Sequence, residues 1–189
     1  MKRIIAIILL MCIFALSGCN TEKPDTNETS DNSTNPNEST NIPNQDISQG
    51  SIEEKHFVLE SNCYKLNAVY TYIDDGNAHP AVLLIAGSGP SDCDETLGTL
   101  KPFKDISNGL AKEGINSLRV DKRTFSHATD FDIKCGIEEE YLEDCCAAIE
   151  YLKSQNISGL YLLGHSLGGQ IATELAASIE GVDGMILFN

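Results

Sequence analysis

Two uninterrupted apolar runs, "AVLLIAG" (Ala81 to Gly87) and "LYLLG" (Leu160 to Gly164), do most to limit what this 189-residue chain can become. Each is too short for a buried helix and lacks the alternation of a half-exposed strand, so each predicts a strand covered on both faces, as in a parallel sheet. The segments between and after them carry helical spacing. "KPFKDISNGLAKEG" sets Phe103, Ile106 and Leu110 on one face and ends at Gly114. Ile137 to Lys153 does the same with Tyr141, Cys145, Ala148, Ile149 and Leu152, and Leu167 to Ile179 predicts a third helix.

"INSLRVD" (Ile115 to Asp121) and "VDGMILFN" complete the strands of this alternation, and a polar loop is expected from Lys122 through Lys134. Ahead of it, "HFVLE" (His56 to Glu60) and "YKLNAVYTY" (Tyr64 to Tyr72) alternate like strands, with a turn at Asp74-Asp75-Gly76-Asn77. Strand and helix in turn from Ala81 onward imply an α/β fold, a mostly parallel sheet with helices on both faces.

Two segments stand outside this core. Lys2 and Arg3, the apolar run Ile4 to Leu16 and the ending Leu16-Ser17-Gly18-Cys19 have the three regions of a secretory signal, and the run is too short to span a bilayer. The Leu-Ser-Gly-Cys ending resembles a bacterial lipobox. That resemblance implies residues 1–19 as a lipoprotein signal peptide, lipid on Cys19, and an extracytoplasmic chain held on the cell membrane without crossing it. Residues 20–50 are Asn, Thr, Ser, Pro and acid with two isoleucines, a composition that cannot offset its ordering entropy, so a disordered tether with a reach of about 30 Å is expected. Residues 51–189 are the folded part.

The chain has 28 acidic and 13 basic residues; Lys2 and Arg3 leave with the signal, so the exported form would carry −17. Such a surface excludes nucleic acid as a partner and leaves the acyl chains as the membrane contact. Beyond Cys12 and Cys19 the cysteines are Cys63, Cys93, Cys135, Cys145 and Cys146, with no C-x-x-C pair and no His/Cys cluster, so neither a metal nor a cofactor is expected. Cys145 and Cys146 read as small apolar helix residues, and an exported location permits a Cys93–Cys135 disulfide.

Gly164-His165-Ser166-Leu167-Gly168 fits G-x-S-x-G between a buried strand and a helix, the setting of a nucleophile elbow. Ser166 is the candidate nucleophile, and Gly164 and Gly168 permit the close strand-to-helix approach. Gly87-Ser88-Gly89-Pro90 follows the earlier strand, where glycines let backbone approach a ligand. The amides of Ser88 and Leu167 are the candidate oxyanion donors. A phosphate loop is excluded, since no Gly-Lys-Ser/Thr follows.

From "IAGSGPSD" through "KPFKDISNGLAKEGINSLRVDKRTF" to "GHSLGG", the chain resembles the α/β-hydrolase superfamily and is similar to bacterial carboxylesterases of the EstD type. The resemblance implies the α/β-hydrolase fold, acyl ester substrates, Ser166 as nucleophile and an acyl-enzyme intermediate. Other acyl-transfer chemistry on the same fold (thioesterase, acyltransferase, serine peptidase) stays open, as does a non-catalytic surface-binding lipoprotein.

Two departures stand out. Ala86 replaces the histidine of H-G-x-x. In the superfamily the acid and then the histidine follow the nucleophile, whereas the acids after Ser166 are Glu174, Glu180 and Asp183, and no histidine follows it. The domain is therefore expected to be C-terminally truncated, its triad acid and histidine absent, its activity weak or lost. Among the other histidines, His56 and His79 fall in the β-rich N-terminal part and His165 belongs to the motif. His127, after "RVD", could line the cleft. Asp121 and Arg123 read as loop-fixing residues, with a substrate carboxylate at Arg123 as the alternative.

Overall fold

The computed structural model of the protein describes residues 50–130 and 132–188. The signal peptide, Cys19 and nearly all of the tether lie outside them. The described residues form one six-stranded sheet: β1 (Ser51–Ser61), β2 (Tyr64–Asp74), β3 (His79–Ile85), β4 (Asn116–Val120), β5 (Ile157–His165) and β6 (Gly184–Phe188). The helices are α1 (Pro102–Lys112), α2 (Arg123–Ser126), α3 (Asp144–Lys153), which a π-helical segment Ile137–Glu143 leads into, and α4 (Leu167–Ser178). Strand order is β1-β2-β4-β3-β5-β6. β1 and β2 form an antiparallel hairpin, β2 runs antiparallel to β4, and β4, β3, β5 and β6 are mutually parallel.

The run in β3 is covered on both faces as its composition requires, whereas β5 is covered only in part, Tyr161 being exposed. In β3, Ala81, Leu83 and Ile85 face one core with Leu118, Leu160, Leu162, Ile149, Leu152, Ile171 and Leu175. Val82, Leu84 and Ala86 face the other with Phe103 and Leu163. Helix α1 thus covers one face and α3 and α4 the opposite one. α1 carries Pro102 in its first turn and Lys112 in its last, and Gly114 at φ +77° turns the chain into β4. β6 is apolar yet exposed: Met185, Ile186, Leu187 and Phe188 are 37–51% accessible.

Several expectations need correction. β1 starts five residues before "HFVLE", because Ser51 to Lys55 pair in register with Tyr70 to Asp74. Backbone pairing to β2 sets this half of the strand, and its own side chains are exposed. The polar loop after β4 contains the short helix α2. The Ile137–Lys153 helix is not uniform: its π-helical opening brings Glu140 and Tyr141 inward, and Asp144 follows them at the start of α3. Cys146 is exposed rather than a core residue, and the permitted Cys93–Cys135 disulfide is not formed, all five described cysteines being free.

Candidate active site

The sheet topology dictates where a site can form. After β3 the chain goes to α1 on one face, and after the adjacent β5 it goes to α4 on the other. The crevice at the C-terminal ends of β3 and β5 is therefore a topological switch point, where open α/β sheets bind ligands. Both sequence motifs lie there.

Ser166 sits between β5 and α4 at φ 53°, ψ −119°, a left-handed conformation that costs a non-glycine residue about 1–3 kcal/mol. The bend is held by Ser166 N–H donating to Phe188 O (3.1 Å) and Gly169 N–H donating to Ser166 O (2.9 Å). It is possible only with glycine on both sides. A Cβ on Gly164 would lie 2.5 Å from Gly168 C and 2.6 Å from Gly169 Cα, and one on Gly168 would lie 2.7 Å from Ala86 O. Leu167 opens α4, so its N–H belongs to the helix-terminal donors without an intrahelical acceptor.

The loop after β3 abuts this turn. A Cβ on Gly87 would lie 3.3 Å from Ser166 Cβ, so the absence of a side chain lets loop and serine meet. Gly89 takes φ +88°, which favours glycine. Gly87 N–H donates to Glu95 Oε1 (3.0 Å), and Gly87 O accepts from Tyr141 OH (2.7 Å) and Lys122 Nζ (3.1 Å). Lys122 Nζ also donates to Gly89 O (2.7 Å) and Tyr141 OH (2.5 Å) and pairs with Glu140 (3.3 Å). Ser88, whose backbone N–H belongs to the Gly87–Ser88 peptide, is exposed.

Burial pulls the Lys122 pKa down, with Glu140 opposing the shift, and burial beside Glu140 pushes the Tyr141 hydroxyl up. Every N–H of Lys122 is committed to an acceptor, so it is a donor here and not a proton acceptor.

The histidines lie elsewhere. His165 Nδ1 contacts Glu95 Oε1 (2.7 Å), and its ring stacks on Phe188 at 4.9 Å. His127, expected as a possible cleft residue, is tied to Lys65 O (3.1 Å) and Asp130 Oδ2 (2.9 Å) at the start of β2. That is three strands from β5, about 14 Å at the usual strand spacing. His56 is on the edge strand β1 and His79 at the opposite end of β3, bound to Gly114 O and Asp75. Asp183 accepts from Leu160 N–H near the start of β5, away from Ser166. Among the described residues, no hydrogen bond joins the Ser166 hydroxyl to a histidine or carboxylate, and no group of His, Cys, Asp and Glu is arranged for a metal.

Asp121 accepts from Asn67 Nδ2 (2.8 Å), Cys93 N–H (2.7 Å) and Ser126 Oγ (3.2 Å), which fixes three segments together. The alternative of a substrate carboxylate at Arg123 is corrected: Arg123 is fully buried and bonds Asp144 through Nε and NH2 at 2.9 and 2.5 Å, with Lys134 O also on NH1. Sequence reading missed Lys122, Tyr141, Glu140 and Glu95. Helical spacing puts Tyr141 on the correct helix face, but only as an apolar residue. The one available signal for Lys122 was its position just past a strand's C-terminal end.

The model of the family described as "Serine aminopeptidase, S33" matches residues 98–189. Esterase EstD of Thermotoga maritima is 44% identical over 138 residues, 72% of this chain and 32% of the relative. An esterase of Pyrococcus furiosus superposes with a TM-score of 0.53 at 21% identity, over 70% of this chain and 47% of that one. Brefeldin A esterase, a bacterial homologue of human hormone sensitive lipase, does so with 0.53 at 20%, over 74% and 40%. The chain thus spans about a third of the curated relative and less than half of each of these two structures. Strand order, the strand–Ser166–helix turn and these similarities together establish that the chain has the α/β-hydrolase fold.

Proposed function

We propose that the chain carries the nucleophile and oxyanion half of a serine esterase. The observation that carries this reading is the left-handed Ser166 at the switch point, apposed to the side-chain-free Gly87. Ser166 Oγ attacks the acyl carbonyl carbon. The carbonyl oxygen becomes an oxyanion held by the N–H groups of Ser88 and Leu167, the second reinforced by the positive end of α4. The C–O bond to the alcohol then breaks, the alcohol leaves with a proton, and water releases the acid from the acyl-serine. Serine without a base is a weak nucleophile, and none of the described histidines meets it, so this segment alone is expected to be slow. The name of EstD supports a small-molecule ester as the substrate class. Through lipid on Cys19 the esterase would work at the outer face of the cell membrane.

The matching family description favours one second reading, hydrolysis of an aminoacyl bond by the same serine. Labelling by a fluorophosphonate, with Ser166→Ala as control, tests the nucleophile. Labelling equal in both would refute it. Release of p-nitrophenol from acyl esters against p-nitroaniline from aminoacyl anilides separates the two substrate classes.

A further inference from the structure

We infer that Lys122 and Tyr141 are positioning residues that lock the Gly87–Ser88 peptide so that the Ser88 N–H is presented to the reacting carbonyl. The inference rests on the esterase reading for its purpose, but its geometry stands alone. Gly87 O receives two donors, Tyr141 OH at 2.7 Å and Lys122 Nζ at 3.1 Å. The described residues contain no cis peptide, and in a trans peptide the C=O and the following N–H point in opposite directions. With the Gly87 carbonyl drawn toward Tyr141 and Lys122, the Ser88 N–H must face away from them, toward the open side of the loop.

The loop is held at more atoms than Gly87 O alone. Lys122 reaches Gly89 O as well, so the Gly87–Ser88 and Gly89–Pro90 peptides, on either side of the loop's turn, are held by one ammonium. Glu95 holds Gly87 from the other direction by accepting its N–H, while the same oxygen contacts His165 beside Ser166. A loop with Gly at 87 and 89 has little conformational preference of its own. Left alone, the Gly87–Ser88 peptide could rotate and turn a carbonyl oxygen, rather than an N–H, toward the oxyanion. The ammonium also polarises the peptide through its carbonyl, which strengthens the N–H as a donor.

The ring of Tyr141 lies 4.2 Å from Lys122 Nζ and packs in the core, so Tyr141→Phe removes one hydroxyl and keeps the packing. Lys122→Met removes the charge and the bonds to Gly87 and Gly89. Nitrogen-15 relaxation on the 189-residue chain measures the order of the Ser88 N–H directly. It is expected to be rigid in the parent, with an order parameter of about 0.85, and to fall below about 0.6 in each variant, while Leu83 and Leu163 stay rigid. A Ser88 amide equally ordered in the parent and in Tyr141→Phe overturns the inference, and that variant decides should Lys122→Met fail to fold.

The second readout is fluorophosphonate modification of Ser166. Its maximal rate should drop about tenfold in Tyr141→Phe at unchanged reagent affinity, less than the 10²–10³ of deleting an oxyanion donor outright. A loosened loop with an unchanged rate overturns the presentation of Ser88 to the reacting centre. A parent chain that does not label at all refutes the esterase reading, and the relaxation result still decides whether these two residues hold the peptide.

Discussion

Gly168 and Gly169 are adjacent in the first turn of α4, yet alanine at the two positions should change stability in opposite directions. At 168 a Cβ would lie 2.7 Å from Ala86 O and 2.8 Å from Ile85 C, and closer still to Ile85 O. Real Cβ contacts essentially never fall under 3.0 Å, so α4 and the end of β3 must separate by at least a few tenths of an ångström. All three obstructing atoms are backbone, so no rotamer change relieves them. Overpacking costs typically 1–3 kcal/mol, and a contact with rigid backbone belongs at the top of that range, about 3 kcal/mol. At 169 the Cβ meets Gly164 O at 3.6 Å and Leu187 Cδ2 and Cβ at 3.7 and 3.9 Å, ordinary contacts. Alanine gains up to about 1 kcal/mol over glycine in a helix, here about 0.5 kcal/mol because the site is in the first turn. The two variants should therefore differ by about 3.5 kcal/mol. Urea unfolding reads this as a midpoint difference above about 1 M at a shared slope. A Gly168→Ala protein as stable as the parent, or two variants shifted alike, would refute the claim that the approach of α4 to β3 fixes the Ser166 turn.

Ser166→Gly should raise stability by about 1 kcal/mol by relieving the φ 53° conformation, whereas Ser166→Ala, which keeps a Cβ there, should leave it nearly unchanged; equal midpoints for the two in urea would count against strain at this residue. Hydrogen bonds from the Asn77 side chain and backbone N–H, with His79 beside them, hold the Asp75 carboxyl down at about 2 against an ordinary 3.8. A depressed folded-state pKa contributes stability that is present above the unfolded value and lost as pH falls through the folded one. The turn's contribution should fade between about pH 4 and pH 2, and Asp75→Asn should flatten that part of the stability profile; an unchanged acid limb refutes it.

The readable parts of this fold share one property: their identity depends on burial and local spacing. β3 announced itself because both faces of the strand are covered, β5 because Leu160, Leu162 and Leu163 are buried although Tyr161 is exposed, and the strand–Ser166–helix turn because its glycines are needed at fixed offsets. The first half of β1 was not readable because its register comes from β2, from Lys55 opposite Tyr70 to Ser51 opposite Asp74, fifteen or more residues away. The charged cluster behind the loop was not readable for a different reason. Polar residues near a strand end are normally solvated, and only tertiary structure reveals that Lys122, Arg123, Glu140 and Asp144 are all buried. The π-helical segment hid Glu140. A 3.6-residue period puts Tyr141 and Cys145 on the core face, whereas the wider turn also admits Glu140, which pairs with Lys122 and accepts from Thr124 Oγ1.

Burying four charges is an expensive way to hold a helix against a sheet. Pairing rarely recovers the full desolvation cost, and apolar residues of similar volume would usually serve stability as well or better. What apolar residues cannot do is aim a peptide group. Arg123 and Asp144 join α2 to the start of α3, Glu140 ties the π-helical segment to Lys122 and Thr124, and Lys122 and Tyr141 end on the carbonyl oxygens of Gly87 and Gly89. The chain of contacts thus runs from a helix pair to two backbone atoms beside Ser166. Opposite it, Ser166 is set by the clash-limited glycines and by backbone hydrogen bonds to Phe188 O and from Gly169 N–H, with no buried charge in contact with it. The serine is therefore placed by steric limits and backbone hydrogen bonds and the carbonyls of the loop facing it by the buried charged cluster, with Glu95 touching both sides through Gly87 and His165. A change in the charged cluster should move the Ser88 amide while leaving the Ser166 turn where it is.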